Sequence, residues 1–373
     1  MKKSFQSLAT QGVQKLTPYL PGKPVDELER ELGISNSIKL ASNENPLGPG
    51  AKAVAAIRAH CESVNFYPDG SGYKLRACLA DKFNIDIACV TLGNGSNDVL
   101  ELVAHAFLDA QTSAVFSEYA FAVYPIAVQA VGATANIAAA FPPDHATMPL
   151  GHNPQTLLAS VDEKTRLLFI ANPNNPTGTC LSTEMLQQIL DGVPEDVVVV
   201  LDMAYNEYMD AVFHFEFGEW LARYPNLVIT GTFSKIYALA GLRIGYALSS
   251  AEIADLLNRV RQPFNTNILA QEAALASLDD EEHIQKSVLL NNAGKAYLQQ
   301  AFTEMGLDYL PTMANFITVN FRQDAQPIYQ ALLRKGVIVR PVANYNMSEY
   351  LRITIGTDAQ NRRFIQALGE VLS

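Results

Sequence analysis

Apolar positions along the chain alternate between two spacings. In SNDVLELVAHAFL (96–108), small polar and acidic residues precede Val99, Leu100, Val103 and Phe107, which share one face of a helix whose start is marked by capping-type side chains. RLLFIANPNNPTG (166–178), DVVVVLDMAY (196–205) and NLVITGTFSK (226–235) are instead short, unbroken apolar runs, rich in β-branched residues, that end in polar ones. Runs of this kind separated by helices predict a mostly parallel sheet buried on both faces.

Beyond about residue 275 the pattern changes. A long polar helix (HIQKSVLLNNAGKAYLQQAFTEMG) is followed by NFITVNF, a helix QPIYQALLRKG, the runs VIVRPV and YLRITIG, and a closing helix. The expected organisation is an N-terminal arm and loop over residues 1–45, where prolines punctuate a mixed sequence, a large α/β unit over 46–275 and a smaller one over 276–373. No internal repeat or low-complexity tract interrupts this order.

Composition narrows the partners. With 373 residues, 49% hydrophobic and 17% charged, the chain reads as globular, and its net charge of −11 argues against nucleic acid or an anionic membrane. The N-terminal MKKSFQSLATQGVQKL lacks an apolar signal core, and no stretch approaches the roughly 20 apolar residues that span a bilayer. Four cysteines without a CxxC pair suggest neither a disulfide framework nor a zinc site, so a cytoplasmic protein with reduced thiols is expected.

The chemistry concentrates where the apolar runs end. In open α/β sheets ligands sit beyond the carboxyl ends of the strands, and the residues there are Asn175, Asp202 with Tyr205, and Ser234 with Lys235. This set suits pyridoxal phosphate. Lys235, desolvated by its apolar neighbours, would capture the aldehyde; Asp202 would hold the ring nitrogen protonated; Asn175 and Tyr205 would hydrogen-bond the phenolate oxygen. GNGSND (93–98) places Gly95, Ser96 and Asn97 at a helix start, where free N–H groups attract a phosphate. Ser234 and Arg243 would close that cup, with Arg243 one turn beyond the lysine at the start of a helix. Singly, each residue has a structural explanation: the asparagine–proline motif as a turn, Asp202 as a cap, Lys235 as a snorkelling side chain. Their joint order and strand-end placement favour the site.

These motifs carry a resemblance. NPNNPTG, LDMAY and SKIYALAGLRIGY, in that order, resemble the fold type I pyridoxal-phosphate aminotransferases, and SNENPLGP, NFYPDGSGYKLR, GNGSNDVLEL, TFSKIYALAGLRIGYA and YLRITIG are similar to segments of the histidinol-phosphate aminotransferase branch. The resemblance spans residues 17 to 370. It implies an α/β fold with a large cofactor domain and a smaller C-terminal domain, and a homodimer in which Tyr67 reaches the neighbour's cofactor phosphate. It further implies that Phe121, with Tyr119 as a second possibility, stacks on the cofactor ring. Thr232 joins the cofactor site, Arg352 holds a substrate carboxylate, Arg340 and Tyr19 bind a substrate phosphate, and Asn43 lies at the substrate. Met203 departs from the family pattern, which has an acidic residue after the ring aspartate.

The implied reaction moves an amino group from histidinol phosphate to 2-oxoglutarate, giving imidazole acetol phosphate and glutamate, a step of histidine biosynthesis. Three alternatives stay open at this level: an aromatic amino acid aminotransferase, a phospho-amino-acid decarboxylase using the same cofactor, and a non-catalytic ligand-binding domain.

Overall fold

The computed structural model describes residues 4–19 and 21–373. Among these residues a seven-stranded sheet is built from β2 (Val90–Gly93), β3 (Ser113–Ser117), β4 (Thr134–Ala138), β5 (Thr165–Ala171), β6 (Val198–Asp202), β7 (Leu227–Thr232) and β8 (Gly245–Leu248), following a short first strand, β1 (Ile38–Lys39). Its strand order is β2-β8-β7-β6-β5-β3-β4, and every strand is parallel except β8, which runs antiparallel to both neighbours.

The unbroken apolar runs follow from burial on both faces. In β5, Leu168 and Ile170 enter one core while Leu167, Phe169 and Ala171 enter the other; in β6, Val199 and Leu201 oppose Val198 and Val200 in the same way. The helix Ser96–Phe107 packs on one face, burying Val99, Leu100 and Val103, with Phe107 partly buried. Register then places the strand ends together: Ala171 pairs with Asp202, and Asp202 with Thr230.

A second sheet holds β9 (Asp308–Tyr309), β10 (Phe316–Asn320), β12 (Arg340–Pro341) and β13 (Tyr350–Thr354), in the order β12-β13-β10-β9. The helices Glu281–Glu304, Gln326–Arg334 and Asp358–Leu372 cover it around a third core.

Residues 25–41, read from sequence as part of an arm and loop, contain a helix (Val25–Leu32) and the strand β1, which pairs in parallel with β11 (Val337–Ile338). The signal was weak because the helix is eight residues long and the strand two, below the length at which periodicity is readable. The chain continues from β1 through residues 41–45, a segment pinned from both sides: Thr354 donates its N–H to the Leu40 carbonyl (2.9 Å), and Asn45 donates through Nδ2 to the carbonyl of Ile236 (2.8 Å).

The expected turn into a helix at Arg243 is not what forms. A short 3-10 turn (Ala240–Leu242) leads to Arg243 at φ 57° and then into strand β8, because Ile244, Tyr246 and Leu248 fill one core and Ala247 the other, an alternation that a strand satisfies.

Candidate active site

Between the carboxyl ends of the large sheet, the second sheet and the 41–45 segment lies a cavity of about 380 Å³. Ser96, Asn97, Phe121, Asn175, Asp202, Tyr205, Thr232, Ser234, Lys235, Arg243, Tyr19, Asn43, Arg340 and Arg352 all line it. Sequence positions spread over more than 300 residues are thus brought to one hollow by strand ends and the loops that follow them.

Lys235 stands on the loop after β7, whose Phe233, Ile236 and Tyr237 are fully buried and fix the turn. Its Nζ donates to the carbonyl of Ser42 (3.2 Å) and sits 5.7 Å from the centre of the Tyr205 ring. Burial, reinforced by the positive charge of Arg352, lowers the ammonium pKa to about 8, with Glu44 and Asp202 opposing. Below that value the ammonium still predominates, but the neutral, nucleophilic fraction near physiological pH is far larger than that of an ordinary lysine.

Asp202 ends β6 and is buried. Burial pushes its carboxyl up, while the Tyr124 hydroxyl (3.0 Å to Oδ2), the Thr230 hydroxyl (3.1 Å to Oδ1) and the Ala204 N–H pull it back. Tyr205 is buried too, its phenol pushed up to about 12, and its oxygen accepts from Asn43 Nδ2 at 2.8 Å. Asn175 accepts from Arg352 Nη1 at 2.5 Å through Oδ1, which orients the amide so that Nδ2 remains a donor.

One end of the cavity is an anion cradle. The twelve-residue helix Ser96–Phe107 begins there with Gly95 as its cap, at φ 86° and without a side chain to satisfy the first N–H groups. A Cβ on Gly95 would stand 2.3 Å from Arg243 Nη2, and one on Gly245 2.5 Å from the Ser96 N. These glycines thus let Arg243 and the helix start approach closely, and Ser234, which accepts from Arg243 Nη1 (3.3 Å), completes the rim. The cradle fits a phosphate, the lysine an aldehyde and the buried carboxylate a protonated ring nitrogen, so the residues present match pyridoxal phosphate.

On the side of the second sheet, Arg340 and Arg352 are register partners on β12 and β13. Arg352 is buried, donates through Nη2 to the Ala41 carbonyl (2.7 Å) and lies 5.3 Å from the Phe316 ring centre; Arg340 lies 5.4 Å from that of Tyr19.

Some expected residues stand apart. Gly95 acts behind the cavity wall, through the space it leaves Arg243. Tyr67 is 82% exposed and stacks on Phe264 at 4.7 Å, away from this chain's own cavity. Of the two candidates for the stacking aromatic, Phe121 lines the cavity, whereas Tyr119 packs with Leu150, Leu310 and Tyr345. Asn43 commits its amide to Tyr205 and Thr354. Met203 faces the core.

Sequence reasoning missed Tyr124, Thr230, Ser42 and Glu44. Tyr124 was findable: it stands three residues after Phe121, one helical turn away, at the start of the helix Val123–Ala130. Ser42 acts through a backbone carbonyl, which no side-chain motif reveals.

Comparison with known proteins agrees with this geometry. The class I and II aminotransferase family matches residues 35–368. Histidinol-phosphate aminotransferase 2 of Pseudomonas aeruginosa is 54% identical over 99% of both chains, and that of Methylococcus capsulatus 50% identical over 99% of both. The crystal structure of histidinol-phosphate aminotransferase from Sinorhizobium meliloti in complex with pyridoxal 5'-phosphate superposes with a TM-score of 0.88, at 27% identity and 97% coverage of each chain. The chain belongs to the class I and II aminotransferases and, within that class, to the histidinol-phosphate aminotransferase family.

Proposed function

We propose that this chain is a pyridoxal-phosphate-dependent transaminase that exchanges the amino group of histidinol phosphate with 2-oxoglutarate, yielding imidazole acetol phosphate and glutamate in histidine biosynthesis. The observation that carries the substrate assignment is the pairing of Arg340 and Arg352 on adjacent strands that line the cavity with Lys235. Two guanidinium groups on paired strands concentrate positive charge on one side of the cavity, which attracts an anionic ligand. A guanidinium fork accepts phosphate or carboxylate, so the same two residues serve a phosphorylated donor and a dicarboxylate acceptor by turns.

When bound, the cofactor supplies an aldehyde that captures amines and a ring that accepts an electron pair from the substrate's α-carbon. Ser96, Asn97, Thr232, Ser234, Arg243 and the helix start would hold its phosphate; Asp202 would keep its ring nitrogen protonated; Phe121 would stack on the ring; Asn175 and Tyr205 would donate to its phenolate oxygen. Lys235 would supply the amine that meets the cofactor's aldehyde, and its Nζ, with a pKa lowered to about 8, is suited to take and hold the proton from the substrate α-carbon. Arg352 and Arg340, with Tyr19 beside them, orient the donor so that this α-carbon faces Nζ.

We place the enzyme in the cytoplasm, where its four unpaired cysteines remain reduced. Tyr67, exposed beside Phe264, is assigned to the phosphate of a second subunit in a homodimer.

The test is single-turnover mixing of the cofactor-loaded protein with histidinol phosphate and, separately, with phenylalanine, following the visible cofactor band. Faster bleaching by histidinol phosphate, without release of carbon dioxide, is expected. Faster bleaching by phenylalanine would overturn the assignment in favour of an aromatic aminotransferase.

A further inference from the structure

Asn43 is buried to 1% exposure and all its polar groups are engaged. Its N–H donates to Thr354 Oγ1 (2.9 Å), and its carbonyl accepts from Asn315 Nδ2 (3.0 Å). The Thr354 hydroxyl, receiving the Asn43 N–H, has its own proton to donate, and Asn43 Oδ1 lies 3.2 Å away to accept it. Oδ1 therefore faces Thr354 and Nδ2 faces Tyr205, so the orientation of the amide follows from the network.

That orientation has a consequence at Tyr205. A phenol oxygen that accepts from Nδ2 at 2.8 Å must direct its own O–H elsewhere, and Tyr205 lines the cavity. The charged groups that act on this phenol are Arg352, a donor with nothing to accept a proton, and the carboxylate of Asp202, which accepts from Tyr124 and Thr230 and acts on the phenol through its charge.

We propose that Asn43 is a positioning residue: by donating to the Tyr205 oxygen it fixes the hydroxyl rotor so that Tyr205 donates its proton into the cavity, toward the cofactor's phenolate oxygen. This rests on the cofactor reading given above. It also gives the 41–45 segment a role in the chemistry, because Thr354 on β13 sets the amide and the amide sets the phenol. The second sheet is thereby linked to a cofactor contact made by the first.

A donor to the phenolate oxygen favours its ionised form, so losing the donor raises the pH midpoint at which the visible band of the cofactor-loaded enzyme changes. The midpoint is measured by spectrophotometric titration for wild type, Asn43→Ala, Tyr205→Phe and the double variant. Asn43→Ala is expected to raise it in the same direction as Tyr205→Phe, by up to about one pH unit, the scale of one hydrogen bond to a charged group. In the Tyr205→Phe background the same change is expected to do nothing further, since the hydroxyl it would orient is gone. A shift of equal size in both backgrounds, or no shift in either, overturns the proposal, because a merely structural role of Asn43 does not depend on the phenol's oxygen. Thr354→Val, which frees the amide while leaving Asn43 in place, is expected to follow the same pattern and serves if Asn43→Ala does not fold. A protein that develops no visible band with pyridoxal phosphate would instead refute the cofactor reading, and the present proposal with it.

Discussion

At the scale of single residues, the chemistry depends on what each group loses by burial and regains from neighbours. Lys235 shows the balance. Desolvation and the Arg352 charge hold its ammonium near 8, while Glu44 and Asp202 keep it from falling further. Because the lowered pKa means that the neutral amine dominates above about 8 and the ammonium below, capture of pyridoxal phosphate by the cofactor-free protein should speed up as pH rises to that value and level off beyond it. Stopped-flow absorbance against pH measures this, and a midpoint near that of an ordinary lysine would contradict the assigned environment. Lys235→Ala should still bind cofactor, without covalent attachment, and lose turnover by roughly 10² to 10⁴, the range for a positioned acid–base group. The four cavity-lining residues Asn175, Asp202, Tyr205 and Lys235 were legible in sequence because each follows an apolar run at a strand end. Tyr124 and Thr230 were not singled out, since an aromatic and a β-branched residue in apolar surroundings read as core.

At the scale of elements, the anion cradle is made by a helix start, a glycine and a strand. Gly95 has a left-handed φ of 86° and faces Arg243, so a methyl group there meets both backbone strain and a guanidinium. Gly95→Ala is expected to weaken cofactor affinity by roughly tenfold or more, the cost of about one disturbed hydrogen bond to a charged group, with secondary structure retained. Fluorescence titration with pyridoxal phosphate alongside circular dichroism separates the two effects, and unchanged affinity would remove Gly95 from the cradle. The helix at 96–107 was readable from its apolar face, whereas the expected capping side chains do not form its cap, which is Gly95. The strand after Arg243 was not readable, because it has only four residues, all buried, too few for a period to stand out.

At the scale of the whole molecule, Tyr67 tests the assembly. Its ring lies on the surface with Phe264, so its assigned service to a neighbouring cofactor requires a second subunit. Tyr67→Ala and Lys235→Ala proteins, each impaired alone, should regain activity when unfolded and refolded together, since a hybrid dimer contains one site with both an intact lysine and an intact tyrosine. No recovery, with hybrid formation verified by native mass spectrometry, would place Tyr67 outside the neighbour's site. The sequence by itself determined the α/β alternation, the strand-end residues and the helix start after Gly95, because period and burial are local properties of consecutive residues. It also carried the resemblance to a cofactor class. Only the tertiary structure decided that residues 38–39 pair with β11, that Arg340 and Arg352 are cross-strand partners, and that Asn43 addresses Tyr205 from 162 positions away. These are pairings between distant segments, set by strand register and by the closing of hydrogen-bond networks, and neither is written in the spacing of residues along one stretch of chain.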